Sequence, residues 1–152
     1  MTNQTQSTVK SIIVTRPESQ AHSLLKQLRN LCVESIEIKH FPLLDIQAVS
    51  FEIPTAQQFC GIIFISSHAA QYFYTSEVYA SQHTSFKPVK LLAVGDNTAS
   101  KIEQLTNQRA AFPLQMNAEG LLQLPQLQSI KDQNWLIVKG EAGRQIIRKT
   151  LI

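Results

Sequence analysis

Apolar residues fall into two recurring arrangements along the chain. Unbroken runs, SIIVT (residues 11–15), GIIFI (61–65), VKLLAV (89–94) and NWLIV (134–138), have the length and β-branched content of strands buried on both faces. Between them apolar residues recur every three or four positions, the period of an amphipathic helix. After the first run, Ala21, Leu24, Leu25, Leu28 and Leu31 fall on one side of such a helix, with His22, Lys26, Gln27 and Arg29 on the other. Further helices are predicted after Ser66-Ser67 (Ala69, Ala70, Phe73), after Gly95-Asp96 (Ala99, Ile102, Leu105), after Asn117 (Gly120, Leu121, Leu124, stopped by Pro125) and after Gly140 (Ile146, Ile147, Leu151). ESIEI (34–38) alternates like a half-exposed strand, and Pro42 in the HFPLLDI that follows removes a ladder donor, a natural point for the chain to leave a sheet. AAF around Ala111 is a short additional strand.

Strand and helix alternate with no fixed-period repeat and no low-complexity tract. The pattern predicts an α/β fold, a doubly wound parallel sheet in three layers. Ligands in such sheets sit beyond the carboxyl ends of the strands. The turns there share a character: Thr15-Arg16-Pro17-Glu18, Ser66-Ser67-His68-Ala69, Gly95-Asp96-Asn97-Thr98, Asn117-Ala118-Glu119-Gly120 and Gly140-Glu141-Ala142-Gly143-Arg144. Taken singly, each reads as helix capping, because Ser, Thr, Asn and Asp accept from the unpaired N–H groups of a helix start. Thr15 with Glu18 has the spacing of a capping box, and Pro17 suits a first turn. Taken together on one sheet edge, they form an anion site built of backbone donors, which favours a polyanionic ligand.

Motifs that are missing narrow the chemistry. The chain contains neither GxxxxGK[ST] nor a GxGxxG after its first strand, which disfavours a nucleoside triphosphate or a Rossmann-bound dinucleotide. His22, His40, His68 and His83 have no ligand partner at i+3 or i+4, so no metal site is expected. Ser67 beside His68 is the one nearby nucleophile–base pair, and adjacent residues at a helix start point apart; His68 is expected to be a solvated first-turn residue. Cys32 and Cys60 stand singly in apolar surroundings and are expected to be reduced, buried small hydrophobes.

Composition changes this picture little. The 152 residues are 43% hydrophobic, enough for one core of ordinary size or one and a piece. Lys and Arg number 14 against 11 Asp and Glu, a net charge of +3 spread without a run or stripe, so no nucleic-acid partner is expected. The polar start MTNQTQSTVK lacks a signal-like apolar stretch, and no run approaches a membrane span; a cytoplasmic protein without a membrane partner is expected.

The order of the turns carries a resemblance. IIVTRPESQAHSLLKQL, FPLLDI, GIIFISSHAAQYF, LLAVGDNTASKIEQL, MNAEGLL and WLIVKGEAGRQIIRKTL, in that sequence over residues 11–152, resemble the uroporphyrinogen-III synthases. The family's TRP falls on Thr15-Arg16-Pro17, its TS on Ile65-Ser66 with Ser67-His68 as an unusual continuation, and its VGxxTA on Val94, Gly95, Thr98 and Ala99. Its SEGL-like start falls on Asn117-Ala118-Glu119-Gly120-Leu121 and its RGxxGR on Lys139, Gly140, Gly143 and Arg144, with Lys139 where Arg is common.

The resemblance implies a flavodoxin-like fold in two domains. The first is only begun by residues 1–40, its remaining strands lying beyond Ile152, and the second is mostly supplied by 41–152. It also implies cofactor-free cyclisation of hydroxymethylbilane with ring D inverted and water lost, in haem biosynthesis. Substrate carboxylates would be held by Thr15, Arg16, Ser66, Ser67, Gly95, Thr98, Asn117, Lys139, Gly140, Gly143 and Arg144. The alternative reading is a truncated, non-catalytic anion-binding α/β module that associates with itself through an open sheet edge.

Overall fold

A computed structural model describes residues 11–32, 36–53, 59–82, 89–141 and 145–151. The chain forms two compact units, Met1–Ala48 and Val49–Ile152.

Unit 1 is a βαβ element. Strand β1 (Ser11–Val14) runs parallel to β2 (Glu37–His40), with Val14 opposite His40, and helix α1 (Glu18–Leu31) connects them. Val14, Ala21 and Leu25 form its core, with Ile12, Leu24, Leu28 and Ile38 packed against them. The second strand lies later than the alternation at 34–38 suggests: it begins at Glu37, and Glu34 and Ser35 fall outside the described residues. Beyond it, the Phe41 amide donates to the Val14 carbonyl (2.9 Å) and the Leu43 amide to the Thr15 carbonyl (3.2 Å). The chain therefore stays with unit 1 through Pro42 and beyond. Leu31, predicted on the buried side of α1, is 82% exposed. Fourteen helical residues span about 21 Å and a four-residue strand about 13 Å, so the last turn of α1 overhangs the ribbon.

Unit 2 holds the larger core. Strands β3 (Gly61–Phe64), β4 (Lys90–Ala93) and β5 (Trp135–Val138) form a parallel sheet in the order β4-β3-β5, with Phe64 level with Ala93 and Val138. The short strand predicted around Ala111 is a single bridge on the outer side of β4, where Ala111 and Leu92 pair. One face packs Ile62, Phe64, Leu91 and Ala93 against Ala70 and Phe73 of α2 (Ser67–Tyr74) and Ala99 and Ile102 of α4 (Asp96–Thr106). The other packs Ile63 and Leu92 against Leu121 of α5 (Ala118–Leu122), Leu127, and Ile147 of α6 (Ile146–Leu151). The arrangement is the three-layer α/β sandwich expected. A short helix, α3 (Glu77–Gln82), was not legible in the periodicity; Pro125 does end α5, opening a 3₁₀ turn at Pro125–Leu127.

Burial follows position in the sheet. All four residues of the central β3 are buried, whereas all four of β5 are half-buried. Both cysteines are free, as expected, but neither is buried: Cys32 is half-buried and Cys60 is exposed. Cys32 caps the overhanging end of α1, and Cys60 sits just ahead of β3, where the backbone bonds to Asn134 and Lys90 while the side chain lies outside the helical layers.

Candidate functional site

Chain order and sheet order diverge at β3. From β3 the chain moves outward to β4 and Ala111, then returns to place β5 on the opposite side, so the carboxyl ends of β3 and β5 flank a topological switch point. One residue past the ladder, the Ile65 amide still donates to the Val138 carbonyl (3.1 Å). Ser66-Ser67 and Lys139-Gly140 therefore leave the sheet side by side.

Ser66 is the cap of α2. Its extended backbone lets Oγ accept from the Ala69 amide at 3.1 Å, and its carbonyl accepts from Ala70 at 3.1 Å. The first-turn amide of Ser67 lies ahead of any helical carbonyl that could accept from it. α2 carries no acidic residue in its first turn, so its positive end is not offset by a carboxylate of its own. His68 is not simply solvated: it is half-buried, and its ring stacks on Tyr72 with centroids 6.5 Å apart. Across the switch point, half-buried Lys139 folds its ammonium onto its own turn, donating to the carbonyls of Gly140 (3.0 Å) and Glu141 (3.3 Å).

The next turns on this edge are built differently. Gly95 caps α4 with no side chain to offer, and Thr98, 4% exposed, donates its amide back to the Gly95 carbonyl. The Thr98 side chain is a core group here, and the outward-facing residues of the turn are Asp96 and Asn97. Asn117 caps α5, its Oδ1 accepting from the Gly120 amide at 2.7 Å. Met116 packs against the Cα of Gly95, which brings the two turns together. Each of these helices carries a first-turn acid, Asp96 or Glu119, that opposes an incoming anion. Among the four turns on this edge, those at the switch point join a helix start without a first-turn acid to the Lys139 ammonium.

Thr15 and Arg16 belong to the corresponding edge of unit 1, and both are exposed. The capping box expected of Thr15 and Glu18 is not formed: the cap position is Pro17, which has no side-chain acceptor, and no side chain caps α1. Glu18 turns instead toward His40, with Oε2 3.2 Å from Nδ1, while His40 Nε2 donates to the Arg16 carbonyl at 2.9 Å. Spacing rules confined to i+3 and i+4 miss this contact, which joins residues 22 and 24 apart in sequence. Gly143 and Arg144 lie outside the described residues. No group of three metal-ligating side chains occurs among the described residues, and no described helix is long and apolar enough to cross a membrane.

Away from this edge, Phe64, Phe73, Tyr74 and Tyr79 form an aromatic layer with ring centroids 5.0–5.5 Å apart. Burial, followed by the neighbouring Tyr79, pushes the Tyr74 phenol well above its ordinary range, and burial raises that of Tyr79.

Comparison with known proteins agrees with this architecture. The family model for uroporphyrinogen-III synthase HemD matches residues 18–152. Uroporphyrinogen-III synthase of Escherichia coli is 30% identical over 147 residues, covering 93% of this chain and 58% of that protein. That of Salmonella typhimurium is 28% identical with the same coverages, and that of Proteus mirabilis 25% identical over 93% of this chain and 72% of its own. The chain thus spans about three-fifths of the length of the first two relatives. With the family model matching residues 18–152, the chain belongs to the uroporphyrinogen-III synthase family.

Proposed function

We propose that this chain acts in uroporphyrinogen-III synthesis, closing hydroxymethylbilane to the macrocycle with its last ring inverted. The substrate carries an acetate and a propionate on each pyrrole. Its hydroxyl leaves with a proton as water to give an electrophilic azafulvene; attack by the last ring forms a spiro intermediate, which reopens and recloses with that ring turned over. The unaided reaction gives the uninverted isomer, so the protein's task is to hold one conformation and stabilise cationic intermediates.

The observation that carries this reading is the switch point. There a helix start without an acid of its own meets Lys139, and two further helix starts, at Gly95 and Asn117, share unit 2's edge. In this reading the Ser66-Ser67 helix start and the Lys139 ammonium take substrate carboxylates, the ammonium exchanging its two carbonyl acceptors for a carboxylate oxygen. Asn117, Gly95 and Gly140 shape backbone donors on this edge, Gly143 and Arg144 complete its set, and on unit 1 Thr15 and Arg16 form a carboxylate-binding turn of their own.

The test is turnover. Hydroxymethylbilane is incubated with the chain and the porphyrinogen isomers are separated after oxidation. Accelerated formation of the inverted isomer is expected; the uninverted isomer alone, at the spontaneous rate, sinks the proposal and leaves an anion-binding module.

A further inference from the structure

His40 stands at the end of β2 with a side chain only 15% exposed, and both its ring nitrogens face acceptors: the Arg16 carbonyl at Nε2 and the Glu18 carboxylate at Nδ1. A carbonyl and an ionised carboxylate cannot donate, so both contacts are hydrogen bonds only when the imidazole carries two protons. Glu18 is itself 85% exposed, so the pair adds little to stability. Its consequence is geometric: it ties the Arg16 carbonyl and the Glu18 carboxylate to one side chain.

We propose that His40 is a positioning residue for the Thr15-Arg16-Pro17 turn, acting as an imidazolium bridge between the Arg16 carbonyl and the Glu18 carboxylate that readies the turn for a ligand carboxylate. The proposal rests on the reading that this turn binds substrate. The charged groups around the imidazole are Glu18 from α1, Arg16 on the turn and, on its own strand, Lys39, which is paired with Glu37 at 3.0 Å. The Phe41 and Leu43 amides, bonded to the Val14 and Thr15 carbonyls, span the same turn and report on it.

The experiment uses the whole chain, ¹⁵N-labelled, with uroporphyrin I as an octacarboxylate probe. His40→Ala is expected to speed amide exchange at Phe41 and Leu43 without changing it at Ile12 and Ile38. It is also expected to raise the Kd for uroporphyrin about tenfold, the scale of one hydrogen bond to a charged group. His40→Gln, which keeps a donor for the Arg16 carbonyl, should recover most of both. Unchanged affinity in His40→Ala while uroporphyrin still shifts the Thr15 and Arg16 amides overturns the proposal, as does a loss that His40→Gln fails to recover. If uroporphyrin shifts neither amide in the unsubstituted chain, the binding reading of this turn fails instead, and exchange at Phe41 and Leu43 alone decides whether His40 holds it.

Discussion

Strands β1 and β3 are near copies, SIIV and GIIF, each followed by a hydroxyl-bearing turn and a helix, yet Ile13 is 60% exposed and its counterpart Ile63 is 0% exposed. β3 has a strand on each side and a helical layer on each face. β1 has β2 beside it and α1 on one face. An apolar run therefore encodes a strand and its capacity for burial, while the neighbours decide how much of that capacity is used. Full burial of an Ile contributes about 1.5–3 kcal/mol, and a 60% exposed one contributes a minor fraction of that.

The sharpest way to break this comparison is a matched pair of substitutions. Ile63→Ala removes buried methyl groups between two packed layers and is expected to cost about 2–5 kcal/mol. Ile13→Ala removes the same atoms from a largely exposed site and should cost under about 1 kcal/mol. Urea denaturation of unit 2, followed by Trp135 fluorescence, reads the first, and amide exchange at Ile12 and Ile38 reads the second. Equal costs would show that β1 is buried in solution.

A second contrast, between crowded and open backbone, lies within unit 2. A Cβ at Gly120 would collide with the Gln115 carbonyl oxygen, a backbone atom that cannot swing aside, whereas Gly140 has nothing near it. Gly120→Ala is expected to destabilise by about 1–3 kcal/mol and to disturb the Asn117 cap. Gly140→Ala should leave stability within about 0.5 kcal/mol, so any loss of uroporphyrin affinity there reports on the edge itself. Thermal melts of the two variants measure the difference.

The units also differ in their response to alkali, because all three tyrosines lie in unit 2. The folded Tyr74 phenol has its pKa raised above its unfolded value, chiefly by burial. The stabilisation is fully present below the unfolded pKa of about 10 and is lost as pH rises beyond it toward the folded value. Trp135 fluorescence should report unfolding of unit 2 in strong alkali, with tyrosinate absorbance rising in the same transition. Tyr74→Phe should move that transition to higher pH while leaving neutral stability within about 1 kcal/mol.

The parts of the fold legible in sequence were those set by local pattern. The apolar runs became β1, β3, β4 and β5, and the turns at Ser66, Gly95 and Asn117 became helix starts, because a helix start is set by residues within three positions. What escaped depended on distant neighbours. Leu31 lies on the apolar side of α1 but overhangs a ribbon whose length periodicity does not record. Thr98 looked like a ligand group and is core, because α4 lies flat on the sheet. His40 meets Glu18 only once β2 is registered against β1.

The smallest effect separates the two units at their turns. Ser66 stands two residues past β3 and Thr15 one past β1, and both read as caps. Ser66 Oγ accepts from the Ala69 amide, whereas α1 starts at Pro17 with no side-chain acceptor. Ser66→Ala should cost about 1 kcal/mol and Thr15→Ala no more than a few tenths, measured by urea denaturation and by amide exchange in unit 1 respectively. A Thr15→Ala cost as large as that of Ser66→Ala would mean that the capping box forms in solution. Glu18 would then be drawn back to the Thr15 amide and away from His40, since one carboxylate cannot both close the box and complete the imidazolium bridge.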